Sequence, residues 1–187
     1  MIFMENLKNR KTAILITVIV AIAATLFGVH RSLTRLSREL EQMFYDGVYH
    51  DGYVEPGIDS HITNCADSSL RLATVLMANP ELSDSAQSVL ERRRELLDAE
   101  SISGKSIAFG RLSSSVKMMS KAAENADLTE RDKEALSQSL ATINGAEAAI
   151  RNSLYNETVS FRWRQQSAIS SILRAFLPVK APEMFSF

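Results

Sequence analysis

Histidine, cysteine, lysine and arginine side chains at close spacing are where a chain of 187 residues would first show its chemistry. His61 and Cys65 are four positions apart, so on a helix they share a face. An imidazole and a thiolate placed that way form half of a zinc corner. The other half needs two more ligands, and no Cys-x-x-Cys or His-x-x-x-His supplies them. Cys65 also falls on an apolar seam, so packing is the better account of it. Gly104-Lys105-Ser106 ends like a phosphate-binding loop. The full pattern requires a glycine five positions before Gly104, which is Ala99, and a strand leading in, which is absent. Arg92, Arg93 and Arg94 suggest phosphate or acidic lipid. Glu91 and Glu95 on either side favour a solvated, salt-bridged helix face instead. The three histidines, His30, His50 and His61, have no nucleophile pairing beside them. These residues predict no catalytic group, no bound metal and no cofactor, and the chain is not expected to be an enzyme.

The elements that would carry these residues are helices. Leu33, Leu36, Leu40, Met43 and Phe44 recur at spacings of three and four between Arg35, Arg38, Glu39 and Glu41. Gly47 ends that stripe, and 47–57 (GVYHDGYVEPG) reads as a loop. Its aromatics Tyr49 and Tyr53, with His50, would either plug the bundle end or line a site. A second helix starts near Ile58, with a seam through Ile62, Cys65, Ser69, Leu72 and Leu76, and ends around Asn79-Pro80. A third starts at Ser83 or Asp84, with an Asp84–Gln87 capping box. Its seam passes through Ala86, Leu90, Leu97, Gly104, Ala108, Leu112 and Met119. Its serine- and glycine-rich centre, with Gly104 and Gly110, marks the place where it would kink, break or admit a close neighbour. After a turn at Asn125–Leu128, Thr129 caps a fourth helix, with Asp132 as the capping acid. That helix is predicted to run to Phe176. Leu136, Leu140, Ile143, Ile150, Leu154, Phe161, Ile169, Ile172 and Phe176 form its buried face, and Pro178 stops it. Asn144, Asn152 and Asn156 lie on it, and Asn152 and Asn156, four apart, would bond across the bundle and fix helix register. The tail Val179–Phe187 carries Met184, Phe185 and Phe187, and should dock on the bundle or a membrane surface.

The stretch Ala13 to Val29 has no charged residue and only Thr17 and Thr25 as polar interruptions. About 20 apolar residues cross roughly 30 Å of hydrocarbon, with about 17 as the lower limit. Lys8, Arg10 and Lys11 precede the run, and Arg31, Arg35 and Arg38 follow it. With three basic residues on each side, the positive-inside rule favours neither topology. A cleaved signal peptide is an alternative, with Ala21-Ile22-Ala23 as its small-x-small site. The apolar run continues past that site, and the amphipathic stripe follows without interruption. Cleavage there would cut inside one rod of about 30 residues or more. A buried core helix fits least, because the run has no polar face. Anchoring through Ala13 to Val29 is the reading adopted.

Composition agrees with a helical protein. Only 7 Gly and 4 Pro occur, and net charge is −1, which gives nucleic acid no bulk attraction. The single cysteine rules out an internal disulfide. The predicted fold class is all-α: one N-terminal transmembrane helix continuing into an extended antiparallel bundle of about four long helices, folded up and down by short links. The expected organisation is a polar N-terminus over 1–12, the membrane helix over 13–29, the bundle over 30–178 and the apolar tail over 179–187.

One stretch is more specific. The segment AIRNSLYNETVSF carries Tyr155 and Asn156 with Val159 three residues on, and Pro178 and Phe185 follow in the tail. This resembles the C-terminal signature of the LemA family. Ile58-Asp59-Ser60-His61-Ile62, leading to Leu76, is similar to an earlier segment of that family in layout. Two departures stand out. Where the family repeats its Tyr-Asn pair, this chain has Arg162-Trp163, and the basic, proline-containing run of the family's second helix is missing. The resemblance implies a bacterial, single-pass membrane protein with a helical bundle of undefined molecular function, not an enzyme, and a bundle on the cytoplasmic side. It assigns Tyr155, Asn156, Val159, Pro178 and Phe185 a structural role. The function expected from the whole is protein–protein interaction or scaffolding at the membrane. The expected partners are the lipid bilayer and an unknown protein, with no nucleic acid, and a homo-oligomer is compatible. A membrane-tethered ligand sensor, built on the Tyr49/His50/Tyr53 loop and the small-residue centre of the third helix, is one alternative. A secreted bundle released by signal-peptide cleavage is the other.

Overall fold

The computed structural model describes residues 10–168 and 177–187. The chain is all-α apart from one small hairpin. Its described elements are α1 (Arg10–Asp46), β1 (Val48–His50), β2 (Tyr53–Glu55), α2 (Ile58–Leu76), α3 (Ser83–Asp98), α4 (Ile102–Ala123), α5 (Glu130–Asn152) and α6 (Tyr155–Ala168). They divide into two compact units. One takes the described residues of Met1–Leu40 and Ser160–Pro182, and the other takes Glu41–Val159 with Glu183–Phe187.

In the first unit, α1 carries the apolar run into the amphipathic stripe without a break. Ile14, Leu15, Val18, Ile19, Val20, Ile22 and Phe27 are exposed around the helix. It is the one helix among the described residues long and apolar enough to cross a membrane. Its two polar interruptions are satisfied within the helix. The Thr17 hydroxyl donates to the Ala13 carbonyl at 2.9 Å, and that of Thr25 to the Ala21 carbonyl at 2.8 Å. No hydroxyl proton in the run is then left seeking an outside partner. The stripe turns polar-and-apolar where the sequence does, and Leu33 and Leu40 are buried. So is Trp163 of α6.

The second unit is a helical bundle in which α2 packs on α3 and α5, and α3 packs on α4. Its core is Phe44, Ile62, Cys65, Leu72, Leu76, Val89, Leu96, Phe109, Leu112, Met119, Ile143, Ile150 and Tyr155, all within 5 % of full burial. Short connections turn α3 back on α2 and α4 back on α3. Thr129 caps α5 as its sequence promised: its hydroxyl accepts from the Asp132 amide at 3.2 Å and donates to the Asp132 carboxylate at 2.7 Å.

Several expectations are corrected. The third predicted helix is two. The chain is extended at Ala99 and Ser101, and α4 begins anew with the Ser101 hydroxyl accepting from the Gly104 amide at 3.0 Å. The interruption precedes the glycines instead of falling on them, because Ser101 offers a cap that a helix interior would waste. Leu97, expected on the seam, is half exposed, and Leu96 is buried in its place. The Asp84–Gln87 box does not form. Leu82 stands at the N-cap without a side-chain bond, and Gln87 donates to Glu91. The second helix stops at Leu76, short of Asn79-Pro80, where the chain makes a turn instead. The fourth predicted helix is also two, parted at Ser153-Leu154, where Ser153 turns extended. Phe161, expected on its buried face, is exposed. Ile169, Ile172 and Phe176, placed on the same face, lie outside the described residues.

The 47–57 loop contains a hairpin. Val48 pairs with Glu55, Tyr49 with Val54 and His50 with Tyr53. Asp51 (φ 47°) and Gly52 (φ 89°) supply the two left-handed positions of a tight turn. Tyr49 and Tyr53 are exposed, so they do not plug the bundle end. Two glycines make the passage from α1 to α2 feasible. Gly47 has φ 95°, and a side chain at Gly57 would run into the carbonyls of Phe44 and Tyr45.

Candidate functional site

The best-formed constellation in the second unit is a groove that holds the segment Glu183–Phe187. Each wall has a sequence reason. Phe44 is the last apolar residue of the α1 stripe and is fully buried. Ser106 and Phe109 are three apart on α4, on one face. Tyr155 and Asn156 open α6, because the chain restarts its helix at that point. The Glu55 carboxylate accepts from the Leu154 amide at 3.3 Å and so helps hold this start.

The segment is bound by its main chain. The Tyr155 hydroxyl donates to the Glu183 carbonyl at 2.8 Å, and the Glu183 amide donates to Glu41 Oε1 at 3.1 Å. Asn156 clasps Phe185 from both sides of its peptide. Its Nδ2 donates to the Phe185 carbonyl at 2.5 Å, and its Oδ1 accepts from the Phe185 amide at 3.0 Å. Ser106 Oγ accepts from the Ser186 amide at 3.2 Å and donates to the Ser186 carbonyl. The Glu183 carboxylate accepts from the Ser103 amide at 2.9 Å, in the first turn of α4, where a free amide and the helix dipole both favour an anion.

Phe185 is buried, with ring centroids 5.6 Å from Phe44 and 6.1 Å from Phe109. Phe187 lies edge-on to Phe109 at 4.7 Å, and the Arg151 guanidinium stands 5.5 Å from its ring. Burial pushes the Tyr155 phenol well above its ordinary value, with the charges of Glu41 and Glu183 adding to the effect. It therefore stays a hydrogen-bond donor.

Of the residues singled out by resemblance, Tyr155, Asn156 and Phe185 come together here. Val159 is fully buried in the same unit, and Pro178 belongs to the other unit. Ser106, Phe109 and Glu41 were not foreseen as part of any such site. Ser106 stood only in the phosphate-loop look-alike, and nothing near Phe109 announces a groove.

The remaining candidates are spread through the bundle. Gly104-Lys105-Ser106 lies inside α4. Lys105 is held by Asp59 of α2, with its ammonium 5.2 Å from the Tyr45 ring centroid. Arg92 pairs with Glu95 at 2.5 Å, and this bond holds the Glu95 carboxyl below the usual range. Arg93 donates to the Ala66 carbonyl at 3.0 Å and reaches Asp67. Asn152 is exposed at the end of α5. Asn144 lines a cavity of about 390 Å³ between α4 and α5, with Lys117 and Glu147. There Ser113 Oγ donates to Glu147 Oε1 at 2.5 Å, and Lys117 Nζ donates to Glu147 Oε2 at 3.1 Å and to Ser113 Oγ at 3.0 Å. Ser113 is buried and spends its proton on Glu147, while the lysine donates to it.

Cys65 is fully buried, and desolvation, with the Glu147 charge second, pushes its thiol up to about 12. Such a thiol is a poor nucleophile near neutral pH. Among the described residues, no group of three or more His, Cys, Asp and Glu stands where it could hold a metal ion. Comparison with family models, with curated proteins and with solved structures finds no match to this chain.

Proposed function

We propose that this chain is a membrane-anchored helical-bundle protein of the LemA type, acting in protein–protein interaction or scaffolding at a bacterial membrane, with its bundle on the cytoplasmic side. One observation carries the reading. α1 exposes an uninterrupted apolar surface over Ala13 to Val29, and its two threonines close their own hydrogen bonds within the helix. Water gives such a surface no favourable place, and a bilayer does. The amphipathic stripe of the same helix follows directly, which favours an uncleaved anchor over a removable leader.

The rest of the reading follows from what the bundle offers. Buried Ser113 and Glu147 bond each other, and Lys117 closes the set. The bundle's best-formed constellation binds a peptide segment. That is the chemistry of an interaction module. The gathering of Tyr155, Asn156 and Phe185 around one clasp supports the family resemblance.

Alkaline carbonate extraction tests the anchor. The full-length chain should remain with the membrane pellet after the wash, and its release into the supernatant would refute anchoring. Protease protection in inside-out and right-side-out vesicles tests sidedness. The bundle should be digested only when the cytoplasmic face is exposed.

A further inference from the structure

The groove around Glu183–Phe187 has the form of a receptor for an extended peptide. The carbonyl and amide of Glu183, Phe185 and Ser186 are all engaged by side chains of the bundle, from Tyr155, Glu41, Asn156 and Ser106. Selectivity comes chiefly from one side chain: Phe185 is buried against the rings of Phe44 and Phe109, while Phe187 meets Phe109 edge-on but stays about as exposed as Met184. Main-chain bonds with pockets for every second side chain are how sheet edges and peptide grooves bind extended partners.

The closure is also local. It consists of five residues with one deeply buried ring, and no helix or ladder extends from them. A terminal segment outside any helix or ladder can open without unfolding the domain that holds it. An opened groove uncovers the Phe109 ring and one side of Phe44, and leaves the Asn156 amide and the Ser106 hydroxyl without the tail bonds that occupy them here. The segment that satisfies all of them is known from the structure itself, and every other copy of the chain carries it.

We propose that the groove is an exchange site, in which a second copy of this chain inserts its own Glu183–Phe187 and the copies become linked tail to groove. Exchange of an identical element needs no new interface chemistry, only neighbours at sufficient concentration. The proposal deepens the interaction reading above, and rests on it for the supply of neighbours sharing one membrane plane.

The test uses two differently tagged full-length chains in the same vesicles, one carrying Ser106→Cys and the other Ser186→Cys, with a short bismaleimide linker. Cys65 is fully buried and stays unlabelled. The expected result is a mixed-tag adduct, roughly tenfold more abundant than with Ser114→Cys, an exposed position on α4, in place of Ser106→Cys. Free peptide of residues 180–187, or Asn156→Ala in the groove-bearing chain, should reduce it. A single chain carrying both Ser106→Cys and Ser186→Cys reports that the groove is folded and filled. If that chain links internally while no mixed adduct forms, the tail stays at home and the proposal is overturned. It is equally overturned if the double variant never links, or if the Ser114→Cys pairing gives as much adduct. Carbonate extraction of the same vesicles scores anchoring separately: an adduct that washes off intact refutes the anchor and keeps the exchange.

Discussion

Cys65 and Tyr155 show how burial becomes a measurable property of single residues. In the folded chain the Cys65 thiol rises from its ordinary 9.0 to about 12, through desolvation first and the Glu147 charge second. The Tyr155 phenol shifts in the same direction for the same first cause. Both groups keep their protons more tightly folded than unfolded. Their contribution to stability is therefore complete below the unfolded values, and is lost as pH rises from the unfolded toward the folded ones. The urea midpoint should hold steady from neutral pH to about 9, then fall as alkali ionises the unfolded thiol first. Cys65→Ala should flatten the first part of that fall, and Tyr155→Phe a later part. A midpoint that does not change up to pH 12 would contradict the burial of Cys65. The position of Cys65 was legible in the sequence, because it sits on a seam of threes and fours. The partners of Tyr155 were not, because Phe44, Glu41 and Glu183 lie far from it along the chain.

At the scale of elements, the starts and stops of helices depend on a few local bonds. Ser101 begins α4 and Thr129 begins α5, each accepting from the amide three residues on. Ser101→Ala should cost about 1 kcal/mol, and Thr129→Ala a similar amount, read as a drop in thermal midpoint. Ser101→Asp should restore what Ser101→Ala loses. No loss with Ser101→Ala would mean that α3 and α4 are parted by something other than the cap.

Thr129 could be read from sequence because a turn precedes it and an apolar pattern follows. Ser101 could not, because apolar residues continue at near-helical spacing on both sides of it. Carrying one helical phase through the interruption put Leu97 inside and missed Leu96. The hairpin had a signal of its own, Asp51-Gly52 between short strand-like runs. Gly and Pro at 47–57 hid it within what reads as irregular loop.

For the whole molecule, the question is which surface faces what. Ile19 is exposed in the middle of the apolar run of α1. Ile19→Arg should cost about 2.5–3.5 kcal/mol of membrane insertion. That is enough to move the full-length chain from the carbonate-resistant to the carbonate-soluble fraction while leaving the bundle folded by circular dichroism. Retention of the variant in the membrane fraction, at the level of the parent, would mean that this run does not do the anchoring.

The sequence by itself determined the helical class, the apolar run and the seams through Leu33, Leu72 and Leu112. Periodicity and apolar length are properties of consecutive residues, and water enforces them wherever the chain goes. The tertiary structure alone decided that the tail closes on the bundle, that Asn156 clasps Phe185 and that Glu147 bonds Ser113. Glu41 and Glu183 meet across 142 positions, and Ser106 and Ser186 across 80. No local pattern names such partners, because the bond between them exists only after the packing of the helices has brought them together.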